Sequence, residues 1–240
     1  MAISTDTRLN LVKAHMLSYI TQKKLKRNDQ LPSEAAIAKQ LGVSRNTLRE
    51  AYISLENEGI IVRRHGIGTF VANPPLIRDS LNDFSPFAQI IQDVGYRPDF
   101  KTLSVEKVAS TPEINEILKL DGTIQILCIS RLVYADQKPV IYVEDYIPPE
   151  VDSQIDSWEN FAGNMVEVLT DALNIPLHQI QSYIRAGELP SGISKYLDLP
   201  EGSPVLRVRS TIFDKENQPI VFSKLYFNSD VIELNITRMI

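Results

Sequence analysis

"LPSEAAIAKQLGVSRNTLREAYISLENEGIIVRRHGIGTFVA", residues 31–72, holds two helix starts separated by a very short turn. Ser33 is an N-cap candidate behind Pro32, Glu34 sits where the positive end of a helix favours a carboxylate, and Gly42 is a C-terminal stop. Only Gly42 and Val43 then precede Ser44, itself an N-cap candidate, so the spacing predicts helix, tight turn, helix. At about 100° per residue, Leu48, Ala51, Tyr52 and Leu55 share one stripe of the second helix, while Arg45, Asn46 and Arg49 project from the neighbouring face. Past Gly59, two β-prone runs flank His65, Gly66, Ile67 and Gly68, which predicts a hairpin with a basic, glycine-bearing tip. Upstream, Leu9, Val12, Met16, Tyr19 and Ile20 recur at helical spacing and predict an amphipathic first helix of about four turns.

A recognition helix enters the major groove with its N-terminal end, where an arginine can pair with guanine O6 and N7 or with phosphate. Ser44, Asn46 and Thr47 are short enough to reach the DNA backbone. Arg45 and Arg49 would also suit a plain solvated surface, or pairing with Glu50, and the helix alone leaves both readings open.

The charge distribution separates two halves. Residues 1–72 hold 11 Lys+Arg against 6 Asp+Glu, a balance of +5, whereas residues 73–240 hold 14 against 24, a balance of −10. Such asymmetry hints that one half meets a polyanion. Between them "NPPLIRDSLNDFSP", residues 73–86, is broken by Pro74, Pro75 and Pro86 and reads as an interdomain linker. No apolar run approaches the roughly 18 to 20 residues that cross a bilayer, so no membrane partner is expected. Cys128 is the single cysteine and there are three scattered histidines, which leaves neither a disulfide framework nor a metal set. A soluble, unprocessed chain in a reducing cytoplasm, without cofactor or metal, is the expectation.

The ungapped string of residues 31–72 resembles the winged helix-turn-helix domain of the GntR family of bacterial transcription regulators. It matches Leu-Pro-Ser-Glu, then Val-Ser-Arg-x-Thr-x-Arg, then a Gly-x-Gly-Thr wing. The resemblance implies DNA binding by Ser33 and Glu34 at the second helix and by Ser44, Arg45, Asn46, Thr47 and Arg49 on the recognition helix. It places His65 and Gly66 at a wing tip in the minor groove, with Arg63 and Arg64 steering the hairpin toward phosphate. Ile67 departs from the family, standing where a polar or basic residue is frequent. Glu34 is equally suited to capping the helix dipole.

The C-terminal region, residues 87–240, repeats itself. An offset of 80 pairs Gly122 with Gly202, Ser130 with Ser210, Pro139 with Pro219 and Tyr146 with Tyr226. Each copy reads as a strand, a short helix and a long hairpin, giving six strands in two equivalent halves. A helix over residues 158–174 is expected between them, and another over "PFAQIIQDVG" at the start. The fold class is therefore α+β, a winged helix-turn-helix head followed by a mostly antiparallel sheet with packed helices.

The second part resembles the effector-binding UTRA domain of the HutC subfamily, whose fold is like that of chorismate lyase. That resemblance implies a homodimer and a small-molecule effector lined by Arg131, Glu144, Tyr146, Asn164 and Tyr226. Val133 stands where sugar-phosphate binders carry a second arginine, and Val221 and Phe227 where they often have Glu and Tyr, so the pocket looks less polar than a phosphosugar site. Tyr146 and Tyr226 would equally serve sheet packing, and Arg131 could pair with a neighbouring carboxylate. The expected function is a metabolite-controlled repressor on a palindromic operator. A constitutive dimeric DNA-binding protein is the alternative, and a lyase-like enzyme is disfavoured because no nucleophile–base motif, phosphate-cradling loop or metal-spaced ligands occur.

Overall fold

The computed structural model describes residues 5–72, 76–81, 84–158, 161 and 163–236. Two compact units form, one from residues 1–78 with 89–97 and the other from 79–88 with 98–240. Of the linker expected at 73–86, residues 73–75, 82 and 83 lie outside the described residues.

In the first unit, α1 (Thr5–Gln22), α2 (Glu34–Leu41) and α3 (Arg45–Asn57) precede a hairpin of β1 (Ile61–Arg64) and β2 (Gly68–Val71). Val12, Met16 and Ile20 of α1 pack against Ile37 of α2 and against Leu48, Ala51, Tyr52 and Leu55 of α3, the stripe read from helical spacing. Ser33 caps α2 by accepting from the Ala36 N–H, and Gly42 ends it in the left-handed region at φ 62°, where a side chain would be strained. Ser44 caps α3 by accepting from the Thr47 N–H. Ser44→Ala leaves that donor unmet, and a thermal melt is expected to show the head destabilised by about 1 kcal/mol. The strand β3 (Ile77–Ser80) and the helix α4 (Phe87–Asp93) follow. Thr21 donates to the Val94 carbonyl at 3.4 Å, and a Cβ on Gly95 would come within 2.5 Å of the Ser18 backbone. Residues 89–97, assigned from sequence to the second domain, thus pack on α1.

The second unit is built twice. The strand β4 (Pro98–Ala109), helix α5 (Pro112–Leu118) and hairpin β5 (Gln125–Ala135) and β6 (Lys138–Ile147) form the first half. The strand β7 (Leu177–Glu188), helix α8 (Ser191–Leu197) and hairpin β8 (Pro204–Asp214) and β9 (Pro219–Phe227) form the second, and β10 (Ile232–Asn235) closes the described chain. The halves join through β6 and β9 into one antiparallel sheet ordered β4-β5-β6-β9-β8-β7. Both hairpins carry a register shift at matching places, Val133/Tyr134 and Ile212/Phe213, and both short helices end on a left-handed residue, Lys119 and Asp198. The repeat read at an offset of 80 is structural.

Between the halves lie α6 (Pro149–Asp152), α7 (Met165–Glu167) and a π-turn, Val168–Ala172. The helix expected over 158–174 starts late because Asn164 caps it, accepting from the Val166 N–H at 3.0 Å. The carbonyls of Phe161 and Gly163 are engaged by Thr102 and Arg131 instead of by a helix.

Candidate nucleic-acid interface and effector site

The tight α2–α3 turn and the two caps present the start of α3 to solvent. Arg45, Asn46 and Arg49 are exposed and make no side-chain hydrogen bond or ion pair with any described residue. The pairing of either arginine with Glu50 is not formed. Ser44 and Thr47 share a hydroxyl–hydroxyl bond of 2.9 Å, so their oxygens hold the helix start as well as facing outward. Ser33 is exposed and Glu34 half-buried at the start of α2.

The wing is a three-residue loop closed by the Arg64↔Gly68 pair, with the Ile67 N–H donating to the Arg64 carbonyl at 2.9 Å. Gly66 takes φ 73°, which a side chain would resist, and His65, Gly66 and Ile67 all face solvent. Arg64 is exposed, stands 4.6 Å over the Phe70 ring and donates to Asn28 Oδ1 at 3.0 Å.

Arg63 does not share this role. Its Nε and Nη2 donate to Glu56 Oε2 at 2.8 and 2.6 Å, and its backbone N–H donates to Oε1 at 3.0 Å. These bonds, the backbone one first, hold the Glu56 carboxyl below the usual carboxylate range. The guanidinium expected to steer toward phosphate is instead a clamp between the wing and α3, because alternation along β1 turns it inward where Arg64 turns out.

Sequence reading passed over Lys23, Lys24, Lys26 and Arg27, all exposed in the α1–α2 loop. That loop is tied to the wing through the Asn28 N–H on the Val71 carbonyl and through Asn28 Oδ1 on Arg64. The run of cations in "KKLKRND" was the available signal.

The five expected effector residues do not converge. Opposed residues of an antiparallel pair share a face, and Arg131 opposes Val143, while Glu144 opposes Ser130 and Lys224, and Tyr142 opposes Tyr226. Arg131 therefore lies on one face of the sheet with Asp145 and Ser223, under α6, α7 and the π-turn. Glu144, Tyr146 and Tyr226 lie on the opposite face, under α5 and α8. Side chains alternate with period two, so Arg131, opposite Val143, cannot share a pocket on the sheet with Glu144 and Tyr146, which have the other parity. The expected set splits into Arg131 and Asn164 on one side and Glu144, Tyr146 and Tyr226 on the other.

On the Arg131 face, Arg131 Nε and Nη2 donate to Asp145 Oδ2 at 2.9 and 2.6 Å, and Asp145 Oδ1 accepts from Ser223 Oγ at 2.6 Å. Arg131 Nη1 donates to the Gly163 carbonyl at 2.6 Å, and its guanidinium lies 4.4 Å over the Phe161 ring. Asn164 Nδ2, next to Gly163, is buried with no partner among the described residues.

Two family models cover most of the sequence. The first, bacterial regulatory proteins of the gntR family, matches residues 10–71, and the second, the UTRA domain, matches residues 93–233. The chain belongs to the GntR family, in its UTRA-bearing, HutC-like branch. It is 28% identical over 224 residues to the HTH-type transcriptional regulator Rv0792c of Mycobacterium tuberculosis, spanning 91% of this chain and 81% of that one. It is 26% identical over 200 residues to the HTH-type transcriptional repressor NagR of Bacillus subtilis, spanning 83% and 82% respectively. The crystal structure of PhnF from Mycobacterium smegmatis superimposes with a TM-score of 0.68 at 17% identity, covering 95% of this chain and 99% of that one. The winged head and the chorismate-lyase-like sheet are thus the family's fold.

In this GntR-family regulator the face opposite Arg131 is a packed aromatic layer. Tyr142 and Tyr146 donate their hydroxyls to Glu144 Oε1 and Oε2 at 3.2 and 2.9 Å, and Lys224 reaches Glu113 at 2.9 Å. Burial, then the Glu144 charge, pushes the Tyr146 hydroxyl far up, and burial likewise raises that of Tyr142. Cys128 lies opposite Tyr146, and burial pushes its thiol up to about 11, which disfavours the thiolate. No described helix is long and apolar enough to cross a membrane, and no described group of His, Cys, Asp and Glu could hold a metal ion.

Proposed function

We propose that this GntR-family regulator is a homodimeric repressor in the cytoplasm that binds a palindromic operator and answers to a small molecule held on the Arg131 face of its second domain. The observation that carries the reading is the capped start of α3, which holds Arg45, Asn46 and Arg49 exposed and without a partner among the described residues. We assign direct DNA contacts to these three, to Ser33, Ser44, Thr47, Arg64, His65 and Gly66, and to the cations of residues 23–27. Glu34 serves the dipole of α2. Arg63 braces the wing against α3 and makes no DNA contact, because Glu56 holds it. The name of the Bacillus subtilis relative supports repression.

A DNA-binding head, to which residues 89–97 also belong because they pack on α1, joined to a separate effector-binding, dimerising domain, gives the reading its mechanism. The effector shifts the population of head spacings, and two heads match two half-sites only at separations set by the DNA repeat. The chain works without turnover and needs no cofactor.

The test is a gel-shift titration on an operator selected from random duplex DNA. Affinity is expected to fall steeply with salt, by about 10³-fold or more between roughly 50 and 200 mM if some six phosphates are contacted. A selected site lacking two-fold symmetry, or an affinity indifferent to salt, would overturn the assignment.

A further inference from the structure

The Arg131 face combines three features that bear on what it can hold. The first is its charge. Arg131 and Asp145 are both buried, with 6% and 2% of their side chains exposed, and Asp145 has its second oxygen filled by Ser223. The pair is therefore electrically closed within the protein. Lys107, on the same face of the sheet, stands 68% exposed and pairs with Asp152. A phosphate or carboxylate brought beside Arg131 would meet a guanidinium already neutralised, and would leave a net negative charge in a low-dielectric site.

The second feature is the wall. Val133, Ile141, Val143, Leu225 and Phe227 share this face around Arg131 and are buried. They offer dispersion contacts and no hydrogen bonds.

The third is the way Arg131's remaining surface is covered. The Phe161 ring lies over the guanidinium plane, and the Gly163 carbonyl takes Nη1. Both belong to the segment that leads into α7, and Thr102 fastens that segment to β4 by donating to the Phe161 carbonyl. One residue further on, Asn164 Nδ2 is a buried donor with no acceptor among the described residues. A buried amide donor without a partner is costly and marks a place where an acceptor belongs.

We infer that the effector is an uncharged, ring-bearing molecule with a carbonyl-type oxygen, and that it takes the positions held here by the Phe161 ring and the Gly163 carbonyl. This rests on the effector reading above and gives it a ligand class. The ring replaces Phe161 over the guanidinium. The oxygen accepts from Arg131 Nη1 and from Asn164 Nδ2, so the ligand satisfies a donor that no described residue meets.

The test uses the full chain and the isosteric pair benzamide and benzoate, with inorganic phosphate as a third probe, in thermal-shift titrations at constant ionic strength. A ligand bound only by the folded state raises the melting temperature with concentration. Benzamide is expected to do so, and benzoate and phosphate to have little effect. Phe161→Ala removes the competing ring, so benzamide should act at about tenfold lower concentration. Asp145→Asn removes the neutralising charge and should bring benzoate binding up to or beyond that of benzamide. A larger shift from benzoate or phosphate than from benzamide in the unaltered chain would overturn the inference, as would no benzamide shift, or one that Phe161→Ala leaves unchanged. An operator gel shift on the same samples separates the two levels. If specific DNA binding responds to an anionic metabolite, the regulator reading stands and the ligand class falls. If nothing moves operator affinity, the effector reading itself fails.

Discussion

Arg49→Ala is expected to cut affinity for the selected operator by about 10- to 100-fold or more, the range of one bidentate base contact at roughly 1–3 kcal/mol. Affinity for random duplex should change far less. Arg49 lies one helical turn beyond Arg45 on α3, beside the buried Leu48 and Tyr52, so the core fixes the backbone from which it projects. Its side chain is exposed and bonded to no described residue, hence nothing in the protein has to be broken before it reaches a base. Arg63→Ala is the internal control. That arginine is half-buried against Glu56, so its removal loosens the wing and costs stability with a smaller effect on specificity. Paired gel-shift titrations on operator and random duplex read both variants. An Arg49→Ala protein that keeps its operator preference, or that loses affinity equally for both DNAs, would sink the base-reading assignment.

The contrast between Arg49 and Arg63 shows what a sequence makes legible. Helical spacing and caps are local, so Ser33, Gly42 and Ser44 mark the ends of α2 and α3 without tertiary information. The buried stripe of α3 follows from the same periodicity. The duplication is legible too, because equal spacing of turns and helix stops survives divergence of the residues between them.

Parity along β6 was not legible. Glu144 and Tyr146 flank Asp145, and a motif matched one place off moves every member to the opposite face. The partner of Arg131 was open to guessing as a neighbouring carboxylate, yet choosing Asp145 over Glu144 required the register Arg131↔Val143. The late start of α7 was hidden for a related reason. Its decisive contacts, Thr102 on Phe161 and Arg131 on Gly163, join positions far apart in the chain. Local propensity over 158–174 has no term for them.

Asp145→Ala is expected to destabilise the second domain by about 3–5 kcal/mol, the cost of leaving a buried charge without its partner. Asp145 accepts three hydrogen bonds, two from Arg131 and one from Ser223, and is 1% exposed. Removing it strands a guanidinium under Phe161 and leaves the Ser223 hydroxyl facing an emptied space. Arg131→Met combined with Asp145→Leu removes both charges and should recover most of that loss, since apolar replacement of a buried pair is often neutral or stabilising. Urea unfolding of the two variants and the parent, followed at a signal from Trp158 in the cluster on the same face, measures the difference. Near-parental stability in Asp145→Ala would mean that water or backbone movement rehydrates Arg131. The face would then be open enough to take an anion. The pair's closure and the neutrality of the ligand site therefore stand or fall on one physical fact, the dryness of the space around Arg131.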